Sequence, residues 1–193
     1  LAGDRGRVDY RYWNDVNPTK FGIKLCRVPR DYYADIARQY QIQSLLDLGC
    51  GMGATYNLFR REGINLQYVG IDVTEGFIET AQELYPDAEF KIGRIEDIPY
   101  PDSSFDMVSC RCVLEHLPDP DPAIREMART STRVVVIVWF KWPGDSDKFR
   151  YDKRGFWNNV YSREHILEVA DSVGLKLADE LTVKHHLVWT LEK

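Results

Sequence analysis

The sequence predicts an α/β protein: a doubly wound, seven-stranded, mostly parallel sheet with helices on both faces and a C-terminal antiparallel hairpin. Three observations carry that prediction. Short apolar runs of strand length alternate with amphipathic stretches of helical period, which implies parallel strands joined by right-handed crossovers. The first such run, "SLLDL", passes directly into a turn holding Gly49, Gly51 and Gly53. The rhythm breaks near the end, where two strand-like runs follow one another with Lys184 alone between them. A chain of 193 residues, 44% hydrophobic and 28% charged, suits one domain with a sizeable core.

Each element has its own justification. Residues 29–40, "PRDYYADIARQY", are amphipathic with helical period, and "SLLDL" is a buried strand. "ATYNLFRREG" is a helix closed by Gly63, and "LQYVGID" is the second strand. "TEGFIETAQELY" places Phe77, Ile78, Ala81, Leu84 and Tyr85 on one helical stripe. "AEFKIG" and "FDMVSCR" are the third and fourth strands. "DPAIREMART" reads as a helix with Asp121 as N-cap and Pro122 in the first helical position. "TRVVVIVWF" is the most apolar strand, so it is expected at the centre, covered on both faces. The helix "SREHILEVADSVGL" precedes the hairpin runs "KLADELTV" and "HHLVWTLEK". Residues 1–28 and 141–161 lack regular periodicity, and the second segment is long enough for a functional loop.

Composition narrows the function classes. The net charge of −5 argues against a nucleic-acid partner. No apolar run reaches the length of a membrane span, and the opening "LAGDRGRVDYRYW" has no signal-peptide core. A cytoplasmic location is therefore expected. Cys26, Cys50, Cys110 and Cys112 contain no C-x-x-C pair, so reduced thiols are expected and no metal. Nucleophile-elbow, zinc and phosphate-loop motifs are absent.

The glycine turn is the chemically informative stretch. In an open α/β sheet, ligands sit beyond the carboxyl ends of the strands. Bare backbone there allows close approach, and Asp72, ending the second strand, can accept hydrogen bonds from both hydroxyls of a ribose. This describes a nucleoside-containing cofactor and no more, because Gly49-x-Gly51-x-x-Ala54 also fits a dinucleotide fingerprint.

The surroundings separate these readings. "LLDLGCGMG", "VGID", "EDIPYPDSSFDMV" and "VLEHL", in that order and spacing, resemble the class I S-adenosylmethionine-dependent methyltransferases. More narrowly they resemble the type 11 group related to quinone-biosynthesis methyltransferases. The resemblance is strong over residues 40–140 and looser to the hairpin. It implies a Rossmann-like methyltransferase fold and S-adenosyl-L-methionine as cofactor, with S-adenosyl-L-homocysteine as product. Gly49, Cys50, Gly51 and Gly53 would pass beneath the methionine and ribose parts, with Asp47 ordering the turn and reaching the amino group. Asp72 would hold the ribose, Val73 would pack on the adenine, and the Cys110 backbone would face the methionine. The chain departs from the pattern at Arg94, where the family often has Asp, so the adenine would be read by Ile95 and Glu96. Glu115 and His116 are common in the family. His116 is expected in a structural or cofactor-side role, with general base as the alternative.

The same resemblance divides the single domain 1–193 into an N-terminal lid and helix (1–40), a cofactor-binding core (41–140), a substrate loop (141–161) and a C-terminal helix and hairpin (162–193). The reaction would be in-line attack by an oxygen, nitrogen or carbon nucleophile of a small-molecule acceptor on the sulfonium methyl. Tyr12, Trp13, Arg111, Lys141, Trp142, Phe156 and Trp157 make an aromatic and cationic set that suits an anionic or sugar-like acceptor. Arg111 and His116 are the candidate catalytic residues. His185 and His186 are expected away from the pocket. Other readings are a silent cofactor-binding partner protein, a methyltransferase acting on RNA or protein, and a nicotinamide-dependent oxidoreductase. The assembly is expected to be a monomer or a homodimer.

Overall fold

In the computed structural model, which describes residues 30–193, the apolar runs become the strands of a single sheet. Helix α1 (Asp31–Gln39) leads into β1 (Ser44–Leu48), α2 (Ala54–Arg61), β2 (Gln67–Asp72), α3 (Glu75–Leu84) and β3 (Glu89–Ile92). The chain continues through β4 (Phe105–Arg111), a 3₁₀ turn (Leu114–His116), α4 (Asp121–Thr130) and β5 (Ser131–Trp139). It closes with α5 (Arg163–Ser172), β6 (Lys176–Val183) and β7 (His186–Glu192). The seven strands lie in the order β3-β2-β1-β4-β5-β7-β6, and only β7 runs antiparallel to its neighbours. The order reverses direction at β1, so β1 and β4 diverge at the place where such sheets bind ligands.

Period-two alternation splits the sheet into two cores. Leu46, Leu48, Val108, Cys110, Val135, Ile137 and Trp139 pack with α4 and α5. Leu45, Tyr68, Met107, Val134, Val136, Val138 and Val188 pack with α1, α2 and α3. β5 is buried from Val134 to Trp139, which its near-continuous apolar sequence required.

The structure departs from the sequence expectations in three places. Asp121 is the first residue of α4, not its cap; Pro120 occupies the N-cap position, and Asp119 Oδ1 accepts from Asp121 N at 3.0 Å. The freed Asp121 carboxylate meets His165 Nε2 on α5 at 2.9 Å. The hairpin turn takes Lys184 and His185 together, with Lys184 at φ 55°. The segment 141–161 is not irregular throughout: isolated bridges join Gly144 to Ser162, Lys148 to Val160 and Tyr151 to Trp157. Among the described residues, no helix is long and apolar enough to cross a membrane. Tyr12, Trp13 and the expected lid over residues 1–28 lie outside the described residues.

Candidate functional site

The turn after β1 is pulled against β2 by two bonds: Gly49 N and Cys50 N both donate to Ile71 O, at 2.7 and 3.1 Å. Its glycines serve different ends. A Cβ on Gly49 would stand 2.2 Å from Val113 Cγ2, and one on Gly53 would stand 2.8 Å from Phe90 Cζ, so packing alone excludes side chains there. Gly51 has φ +55°, yet no atom of the described residues lies within 4 Å of a Cβ built on it. The bare side of Gly51 is therefore open. Cys50, by contrast, is buried, with its thiol among the aromatic rings of the α1–α3 side.

Asp72 stands at the end of β2 and holds this corner. Its Oδ2 accepts from Gly51 N and its Oδ1 from Thr74 N, both at 2.9 Å. Burial raises its pKa, against the pull of those two N–H groups. Each carboxylate oxygen has a second lone pair for a further donor. Val73, next in line, is half-buried. Asp47 is placed differently. It is 2% exposed, and its oxygens accept from Ser109 Oγ at 2.6 Å and Tyr68 Oη at 2.8 Å. It binds β1 to β2 and β4 on the α1–α3 side, beneath the turn rather than at its open rim. Burial raises its pKa also, opposed by these hydroxyl donors.

After β3, Arg94 bridges to Asp97 through the backbone, and its guanidinium pairs with Glu96 Oε1 at 3.2 Å. The Ile95 side chain is in the core. The departure at Arg94 therefore appears as an ion pair whose arginine is exposed.

β4 ends in a tight change of direction. The Cys110 thiol enters the α4–α5 core. Cys112 takes φ 56°, an uncommon value for a non-glycine residue, and its N–H bonds to Val138 O at 2.8 Å. The chain then enters the Leu114–His116 turn. Glu115 is fully buried, and its Oε1 accepts from Phe140 N at 2.7 Å and Lys141 N at 3.2 Å. Burial pushes its pKa up to about 7. His116 Nδ1 lies 2.7 Å from Trp157 O. A carbonyl only accepts, so Nδ1 carries the hydrogen and Nε2 is the basic nitrogen of the neutral ring. Phe140 and Phe156 flank that ring at 5.3 and 5.5 Å, and burial lowers its pKa.

The loop after β5 is pinned to this turn. Asn159 N donates to Glu115 O at 2.9 Å, and both Asn159 Nδ2 and the Tyr161 hydroxyl donate to Leu117 O. Of the predicted substrate residues, Phe156 is buried against His116, and Trp157 pairs with Tyr151 at 5.0 Å. Trp142 is 45% exposed, and its indole N–H reaches His185 O at 3.1 Å. Lys141 is tied through its backbone to Glu115.

The Trp142–His185 contact and the strand direction correct the placement of the hairpin histidines. β7 runs antiparallel to β5, so its first residue sits at the end of the sheet where β5 finishes. His186 thus stands at the site end, where burial first and then the Arg111 guanidinium depress its pKa. The sequence contained the signal: an antiparallel last strand must begin where the parallel strands end. Glu115 and Tyr32 are further residues to which sequence reasoning gives no role, and both reach Arg111 or its neighbours.

Residues 46–133 match the family described as "Methyltransferase domain". Over these residues the chain is similar to the type 11 methyltransferases. Ajmaline N-methyltransferase of Rauvolfia serpentina is 34% identical to it over 103 residues, covering 50% of this chain and 35% of that one. Ubiquinone biosynthesis O-methyltransferase of Neisseria meningitidis serogroup A is 30% identical over 127 residues, covering 63% and 49%. The chain thus spans less than half the length of either relative. Burkholderia thailandensis 1,6-didemethyltoxoflavin-N1-methyltransferase, solved with 1,6-didemethyltoxoflavin and S-adenosylhomocysteine bound, superposes with a TM-score of 0.69. That likeness covers 92% of this chain and 91% of the other at 13% identity, and is one of fold.

Proposed function

We propose that the protein transfers the methyl group of S-adenosylmethionine to a small-molecule acceptor. The observation that carries this reading is the Gly51–Asp72 corner within the matched residues 46–133. There an uncovered glycine and a carboxylate with spare lone pairs meet at the ends of adjacent parallel strands. These residues fit the cofactor: Asp72 would take the ribose hydroxyls, Gly51 would admit the nucleoside, Val73 would flank the adenine, and the Cys110 backbone would face the methionine end. Ile95 and Glu96 would border the adenine edge. When bound, the cofactor supplies an electrophilic methyl group, which passes to an acceptor nucleophile while the sulfur keeps the electron pair. The chain's part is to align that nucleophile and keep water out. The small acceptors named for the two relatives, an alkaloid and a quinone precursor, support a small acceptor here. The segment 141–161 would cover it, and residues 162–193 would close the far side of the site.

His116 is read as the anchor of that loop, since its Nδ1–H holds Trp157 O and two rings flank it; Nε2 is the nitrogen that the alternative base role would use. Asn at this position keeps an N–H for the Trp157 carbonyl, so His116→Asn is expected to retain turnover within about tenfold. Loss of turnover well beyond that, with cofactor binding intact, would make His116 the base.

Calorimetric titration with S-adenosylhomocysteine, beside NAD, tests the central reading. Binding of the first alone, weakened about 10- to 100-fold in Asp72→Asn, is expected for loss of a charged hydrogen-bond acceptor. No binding to the wild-type protein would overturn it.

A further inference from the structure

The sheet face under α1 carries buried hydrogen-bond donors that the methyl-transfer reading leaves unused. From Met107 onward the odd-numbered residues of β4 point to this face: Met107 enters its core, Ser109 bonds Asp47, and Arg111 ends the strand. Arg111 pairs with Val138, and Val138 with Val188, so the register continues across to β7 and its first residue, His186. α1 lays Tyr32 and Tyr33 against the same place. Arg111 is only 8% exposed; its Nε donates to Tyr32 Oη at 3.3 Å, and its Nη2 is buried with no hydrogen-bond partner among the described residues. His186 Nδ1 and the Tyr33 hydroxyl are likewise buried without hydrogen-bond partners among the described residues.

Two arginines act on these donors. Arg30 precedes α1, and the Arg111 guanidinium, after burial itself, lowers the Arg30 pKa. Burial, then Arg111, His185 and Arg30, push His186 down to about 4. Of the two carboxylates that act on this cluster, Asp47 is engaged through both oxygens, whereas Glu115 Oε2 is buried with no hydrogen-bond partner among the described residues. Asp47 accepts from Ser109 and Tyr68, and Glu115 accepts two backbone N–H groups through Oε1. A buried guanidinium with an unused N–H is costly unless an anion completes it. Its planar fork suits two oxygens of one carboxylate or phosphate.

We propose that Arg111, His186 and Tyr33 form an anion subsite that takes a carboxylate or phosphate group of a ligand bound at the strand ends. Which ligand delivers it rests on the methyl-transfer reading. The anion is either the amino-acid carboxylate of the methyl donor or an acidic group of the acceptor. The donors converge whichever ligand brings it.

NMR of the His186 ring, titrated with inorganic phosphate against chloride at equal ionic strength, reads the subsite directly. Phosphate is expected to move the His186 titration to higher pH, because a bound anion offsets the guanidinium groups facing it. Arg111→Met should abolish the response, and Arg111→Lys, which keeps charge without the fork, should weaken it. Melting temperatures of both variants check that they fold. Binding of S-adenosylhomocysteine and of 5′-methylthioadenosine, which lacks the amino-acid part, separates the two sources. A loss of about tenfold or more in Arg111→Met for the first ligand alone assigns the subsite to the donor carboxylate. Unchanged binding of both, with the phosphate response lost, assigns it to the acceptor. A wild-type His186 that titrates identically in phosphate and chloride, and with S-adenosylhomocysteine added, overturns the proposal. A phosphate response without any binding of S-adenosylhomocysteine would instead strike at the methyl-transfer reading and leave the anion subsite standing.

Discussion

Gly51 and Gly63 are a natural pair for asking what a glycine is for. Both have positive φ, at +55° and +65°, and neither has a described atom within 4 Å of an added Cβ. Alanine at either should cost about 1–2 kcal/mol of stability, because left-handed backbone crowds a Cβ against the next carbonyl. Only Gly51 faces the strand ends beside Asp72; Gly63 follows the last turn of α2. Gly51→Ala is therefore expected to weaken S-adenosylhomocysteine binding by tenfold or more, and Gly63→Ala to leave it unchanged. Calorimetry alongside thermal melts checks both halves, and equal binding by the two variants would mean that the bare side of Gly51 faces nothing. Gly49 and Gly53 offer no such test, since Val113 and Phe90 already fill the space beside them.

At the scale of elements, legibility followed locality. β1, β4 and β6 begin and end at the predicted residues: β1 and β4 are buried apolar runs between turn residues, and β6, an exposed edge strand, is bounded by Gly174 and the Lys184 turn. Helix bounds came within one to three residues, and the start of α4 was misjudged because Asp119, Pro120 and Asp121 all suit a helix entry. The segment 141–161 was opaque for a different reason. Its shape depends on Asn159, Tyr161 and Trp157 meeting Glu115, His116 and Leu117, some 40 residues earlier in the chain. No periodicity within the segment encodes that meeting. The glycine turn and Asp72 were visible as a candidate site because spacing alone carries them. The cluster of Arg111, Tyr33 and His186 was not, since three elements contribute to it and only the sheet order brings them together.

Across the whole molecule, two buried titrating groups at the same end of the sheet pull stability in opposite directions with pH. Glu115 goes from an ordinary 4.5 to about 7 on folding. Its contribution is complete below the lower value and is lost as pH rises through the upper one. His186 goes from 6.5 down to about 4, so the unfolded chain takes up a proton first and stability falls as pH drops through that window. Glu115 pulls the melting temperature down between about pH 4.5 and 7, while His186 pulls it up between about pH 4 and 6.5. Glu115→Gln removes the first pull alone, so it is expected to gain melting temperature relative to the wild type as pH rises across that window. A Glu115→Gln variant with the wild-type slope would show that another group titrates there. The strand order has a consequence for biosynthesis. β7 inserts between β5 and β6 although it is the last described strand to be made. At about 5–20 residues per second, β5, the most apolar strand, leaves the ribosome seconds before β7 covers its edge. For that interval the nascent chain presents an unpaired hydrophobic ribbon to its surroundings. Slow translation after Trp139 would prolong it, and a holdase able to shield that edge would matter most at this point in synthesis.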